Sequence, residues 1–133
     1  MINNQQVKGD VAESIVVKAA KELKREAWVI RHVRHCRKNS DQDRMGIDVL
    51  LFLEGGFCLP LQVKSSARRL QRHHRMHPYI KHVIILEAAE LLMHHDPNSD
   101  KYRAIKLDLI RQTKLLIQKA VREAFYSLNR INP

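Results

Sequence analysis

The chain has 133 residues, 44% hydrophobic and 29% charged, the composition of one folded domain rather than a disordered or low-complexity segment. Lys plus Arg total 24 against 14 Asp plus Glu, a formal charge of +10 that points to a polyanionic partner, either nucleic acid or an anionic membrane surface. No apolar run approaches the ~20 residues of a membrane span, the start Met1-Ile2-Asn3-Asn4-Gln5-Gln6 has no leader pattern, and Cys36 and Cys58 alone make no disulfide scaffold, so the expectation is a cytoplasmic protein with reduced thiols and no membrane partner.

Residues 7–26 read as an amphipathic helix. Val11, Ile15 and Ala19 form one apolar row and Ala12, Val16, Ala19 and Leu23 its neighbour. Lys18, Lys21, Lys24 and Arg25 lie on its other side, which reads as a solvated face. Trp28 to Arg34 alternates β-forming and polar residues and predicts a strand. The polar stretch from Arg37 to Gly46 reads as loop. Ile47 to Leu53 is a strongly apolar strand, Glu54-Gly55-Gly56 a hairpin turn, and Phe57 to Ser65 the return strand. Pro60 within that strand argues for an edge position or a bulge.

Residues 66–77 are basic and polar, a loop or a short helix. Lys81 to Glu87 predicts a fourth strand and residues 88–94 a helical turn, followed by a loop at Asp96 to Asp100. A fifth short strand is expected over Tyr102–Leu107. Residues 109–129 read as the longest helix, with Asp108 as its N-cap and Ile110, Ile117, Val121, Ala124 and Leu128 along one face. The order α, β, β, β, short α, β, α predicts a mixed sheet with helices on either side.

The hairpin carries the chemistry. Asp48 is a charge at the start of an apolar strand, a costly placement without a partner. Gln62 and Lys64, two apart on the return strand, share a sheet face. Pairing about a turn centred on residue 55 sets Asp48 opposite roughly residue 62, so Asp48, Gln62 and Lys64 converge at one end of the sheet. Glu13 lies on the helix that can cover that end. Two carboxylates and an amide oxygen are hard donors suited to Mg²⁺, and a lysine beside them can orient water or offset charge on a reacting phosphate. Ser40, Asp41 and Asp43 precede Asp48 and are weaker candidates for the same site. His32 and His35, alternating with Arg31 and Arg34, are candidates to face substrate. His73, His74, His77, His94 and His95 have no zinc-binding spacing and read as solvated. No CxxC, HExxH, P-loop or dinucleotide motif occurs. Aromatic content is 5%, so stacking on unpaired bases is not the expected mode of contact.

At these residues the chain resembles the PD-(D/E)xK nuclease superfamily. That family has an acid on its second strand and (D/E)xK on its third. Asp48 matches the first acid, Gln62 stands in place of the second, and Lys64 matches the lysine. Lys8-Gly9-Asp10-Val11-Ala12-Glu13 is similar to the KGxxxE opening of archaeal Holliday-junction resolvases, and Lys64-Ser65-Ser66 to the lysine-serine ending in that group. The likeness spans roughly residues 8–87 and leaves the last helix outside.

The resemblance implies a single α/β domain over 1–133. It would have a restriction-endonuclease-like αβββαβ core, a mixed central sheet flanked by helices, and an added C-terminal helix. It implies a metal-dependent endonuclease that hydrolyses DNA phosphodiester bonds with structural or weak sequence preference, and that works as a homodimer. Glu13, Asp48 and Gln62 would hold Mg²⁺ or Mn²⁺, and Lys64 would complete the catalytic set. Lys8, Ser65, Arg68, Arg69, Arg72 and Arg75 would contact nucleic acid. Two departures stand out: Gln62 removes a negative charge, as in the QxK branches related to restriction enzymes, and Ile47 rather than proline precedes Asp48. The alternative is a catalytically impaired nucleic-acid-binding module on the same fold, which Gln62 favours. A basic scaffold for an acidic protein is the third reading. RNA is an open substrate, since nothing here reads a 2′-hydroxyl.

Overall fold

The computed structural model describes residues 4–66 and 82–131. In chain order these form α1 (Asn4–Arg25), β1 (Ile30–His35), the single turn α2 (Asp41–Arg44), β2 (Val49–Leu53), β3 (Cys58–Lys64), β4 (His82–Ile85), a 3₁₀ helix (Glu87–His94) and α3 (Asp100–Ile131). The protein is a mixed α/β fold: a four-stranded sheet in the order β1-β2-β3-β4, with flanking helices. β1, β2 and β3 form an antiparallel meander, and β4 runs parallel to β3. The expected short helix of the αβββαβ order, and Arg68, Arg69, Arg72 and Arg75 with it, lie outside the described residues.

The hairpin forms where the glycines allow it. Gly55 and Gly56 both hold positive φ, 86° and 83°, a region closed to most side chains. A Cβ on Gly55 would also meet the Phe57 ring at 2.9 Å. The turn sets the register Val49↔Leu61, Leu50↔Pro60, Leu51↔Leu59 and Phe52↔Cys58. This ladder is centred on residue 55, as the sequence predicts. Because Leu53 N–H donates to Phe57 O, ladder bonds fall at every second pair and the Pro60 nitrogen faces away from β2. On that side pairing with β4 begins only at Leu61, so Pro60 removes no ladder bond although β3 is an inner strand.

One sheet face makes the core. Val49, Leu51 and Leu53 of β2, Leu59, Leu61 and Val63 of β3, and Ile84 of β4 are buried together with Ala12, Ile15, Val16, Ala19, Ala20 and Leu23 of α1. Leu109, Ile110, Ile117, Ala120 and Val121 of α3 join the same cluster. The element order suggests helices on either side of the sheet. Among the described residues the two long helices instead pack on each other over this one face. α1 ends in a Schellman turn: Trp28 N–H donates to Leu23 O and Ala27 N–H to Lys24 O, with Ala27 at φ 58°.

Two expectations are corrected. Tyr102–Leu107 is not a strand but the first turns of α3. Tyr102 and Ile105 pack against the core and continue into buried Leu109, a helical spacing rather than an alternating one. The N-cap is Ser99, not Asp108: Ser99 Oγ accepts from Tyr102 N–H at 3.1 Å, and Asp108 instead accepts from Gln112 Nε2 at 2.8 Å. The Arg37–Gly46 loop also contains α2. Its N-cap Ser40 accepts from Asp43 N–H, and Asp43 Oδ2 accepts from Asn39 N–H at 2.9 Å.

Candidate functional site

Asp48 sits just before β2 and is tied down on three sides. Its N–H donates to Leu61 O at 2.9 Å, and its carbonyl accepts from Cys36 N–H at 2.9 Å. Its Oδ2 accepts from Val63 N–H at 2.8 Å. The side chain thus replaces a backbone acceptor for β3, a tether that no side-chain pattern in the sequence announces. Asp48 is only 7% exposed.

Glu13 comes to it from α1. Ala12, Ile15 and Val16 bury the helix against the sheet, and Glu13 lies on the flank of that row, over the end of the sheet where Asp48 begins β2. The two carboxyls lie close enough for each to act on the other's titration. Burial pushes Asp48 up to about 7; Val63 N–H opposes the shift, Glu13 adds to it, and the nearby Lys64 ammonium opposes it. Glu13 is also raised, first by burial, with Asp10 and Asp43 adding, while its bond to Asp48 and the Lys38 charge oppose. Burial and the second carboxyl together raise the affinity of Asp48 for a proton.

Of the residues singled out in the sequence, Glu13, Asp48 and Lys64 are brought together. Gln62 adjoins them without touching: strand alternation puts it on the face opposite Leu61 and Val63. It is 8% exposed, and its Oε1 is buried with no hydrogen-bond partner among the described residues. A buried acceptor left bare costs about 1–3 kcal/mol, so this oxygen is an open coordination or hydrogen-bonding position. Lys8 forms an ion pair with Glu90 at 2.9 Å instead of standing free, and Ser65 follows β3 half-buried. Asp43 and Ser40 are used in capping α2, and Asp41 is exposed in its first turn.

His35 enters the site more directly than its sequence suggests. Its Nε2 lies 3.3 Å from Glu13 Oε2. The pairing Arg34↔Leu50 and His35↔Val49 brings the end of β1 beside Asp48. Lys38 pairs with Asp10 at 2.7 Å one turn before Glu13 on α1. Among the described residues, no group of three or more His, Cys, Asp or Glu side chains is assembled to hold a metal ion. The oxygen donors on hand are the Glu13 and Asp48 carboxyls and the unsatisfied Gln62 amide. No described helix is long and apolar enough to cross a membrane.

Comparison of the chain with protein-family models, with curated proteins and with solved structures returns no match. What remains is the site's own chemistry: a buried Asp48 and a half-buried Glu13 at the end of the sheet's inner strands, with a lysine acting on Asp48.

Proposed function

We propose that this protein is a metal-dependent endonuclease of the PD-(D/E)xK type, with a restriction-endonuclease-like core, acting on DNA with structural or weak sequence preference. The observation that carries the reading is the pairing of buried Asp48 with half-buried Glu13. A buried acid pushed up to about 7 by burial and by a second carboxyl is a functional-site candidate. The antiparallel hairpin joined to a parallel fourth strand agrees with the resemblance, as does the net charge of +10.

The donor set fits Mg²⁺ or Mn²⁺. Glu13 and Asp48 would hold the ion, and the unpartnered Gln62 Oε1 offers a third, neutral oxygen. Such an ion supplies Lewis-acid polarisation of a phosphoryl oxygen. Val63 N–H fixes one Asp48 oxygen so that the other can be presented outward. Lys64 places a positive charge where a phosphodiester gains negative charge on attack, and orients water toward phosphorus. His35 holds Glu13 from the solvent side. Replacement of a ligand acid by Gln62 favours the second reading, a DNA-binding module with weakened catalysis.

The test is incubation of linear, nicked and four-way-junction DNA with and without Mg²⁺ or Mn²⁺, with Lys64→Ala and Gln62→Glu run in parallel. Metal-dependent cutting lost in Lys64→Ala is the expected result. Binding without cutting in any metal would overturn the catalytic reading, and cutting gained in Gln62→Glu would then identify Gln62 as the reason.

A further inference from the structure

The basic side of α1 does not stand alone in solvent. Lys18, Lys21, Lys24 and Arg25 form one wall of a groove of about 520 Å³, and His32 and Val33 of the edge strand β1 form the other. All four cations are exposed. The neighbouring acids are turned away: Glu22 of α1 pairs with Lys114 of α3 at 3.9 Å, and Glu26, just past the end of α1, pairs with the same lysine. Among the described residues that line the groove, none is negative. Both walls run out of the carboxyl site, since Glu13 precedes Lys18 on α1 and His35, in contact with Glu13, follows His32 on β1.

We propose that this groove is a nucleic-acid backbone site, seating one strand as it leaves the Glu13–Asp48 pair. From Lys18 to Arg25 the helix rises about 10 Å, and one strand of duplex DNA presents a phosphate every ~3.4 Å, so the wall matches about three successive phosphates. An anionic membrane is the poorer occupant. Surface-lying helices insert an apolar face beside their cations, and here Ile15, Val16, Ala19 and Leu23 are buried under the sheet contact. The identity of the polyanion as DNA rests on the proposed nuclease reading; the groove and its charge do not.

The test compares two charge-matched double variants. Lys21→Ala with Lys24→Ala empties the groove wall. Lys101→Ala with Lys119→Ala removes the same charge from exposed positions on α3. Affinity for a short labelled duplex is measured across a salt series, with a thermal melt confirming that each variant folds. The groove pair is expected to reduce the slope of log affinity against log salt by about 2, and the α3 pair by far less. Equal losses in the two pairs, or no loss in either, would overturn the groove. So would wild-type protein that ignores duplex but binds anionic vesicles or polyglutamate. Metal-dependent cutting, scored on the same samples, separates the two claims. A slope change without any cutting leaves the groove standing and the nuclease reading fallen. Cutting with an unchanged slope does the reverse.

Discussion

The two halves of α1 rest on one continuous apolar row yet serve opposite charges. Ala12, Ile15, Val16, Ala19, Ala20 and Leu23 are all within 1% of full burial, so packing does not distinguish the halves. What differs is the neighbour. The first half lies over the start of β2, where Glu13 meets the Asp48 carboxyl and burial raises the pKa of both. The second half lies beside the edge strand, where Lys18, Lys21, Lys24 and Arg25 face a groove and the intervening acids are drawn off to Lys114. A buried stripe sets how a helix sits, and the elements on its flanks decide what its charges do.

The comparison breaks most sharply at the carboxyl end. Asp48→Ala removes one hard donor and the Val63 tether, and is expected to lower metal-dependent cutting by on the order of 10²–10³-fold, as loss of one transition-state contact does. Gel assays at saturating protein, with binding measured in parallel, check it; retained cutting would refute the site. At the shared row, Ile15→Ala is expected to destabilise the protein by about 2–5 kcal/mol in urea melts, because a side chain this buried leaves a cavity. Both halves should suffer together, losing metal response and the salt slope of DNA binding alike.

The carboxyl pair also makes stability depend on pH. The folded-state pKa of Asp48 is raised from 3.8 to about 7, so the folded chain holds a proton that the unfolded chain releases. The contribution of this group to stability is fully present below pH 3.8 and is lost as pH climbs through about 7, by on the order of 4 kcal/mol. The groups facing Asp48 are Glu13 from α1, Lys64 and the Val63 N–H from β3. Melts across that window should slope downward in wild type and flatten in Asp48→Asn. Mg²⁺ at neutral pH should raise the wild-type Tm and leave that of Asp48→Ala unchanged. The smallest effect is expected at the end of the basic half. Ala27 occupies the left-handed position of the Schellman turn, which favours glycine. Ala27→Gly is expected to stabilise the chain by up to about 1 kcal/mol, net of the added unfolded-state entropy, with no change in DNA affinity.

Much of the local structure is legible in residue order. The α1 stripe, the turn at Gly55-Gly56 and a hairpin centred on residue 55 are short-range patterns, and each forms as its pattern dictates. The misread stretch, Tyr102–Leu107, is one where a few alternating residues mimic a strand. Helical spacing shows only once Leu109 and Ile110 are counted with it and Ser99 is seen as the cap. Of the site, residue order names Glu13, Asp48, Gln62 and Lys64 but not their relations. The hydrogen bond from Val63 N–H to Asp48 and the contact of His35 with Glu13 join residues far apart along the chain.

By itself, then, the sequence determined the elements whose signals lie within a turn or a strand pair: the helix faces, the hairpin register, the excess of positive charge. Tertiary structure alone decided that Glu13 meets a buried Asp48, that Lys8 is taken by Glu90, and that four cations of α1 line a groove. Those outcomes depend on desolvation and on distances between separate elements. Neither is encoded in local periodicity, and both exist only once the sheet and its helices have packed.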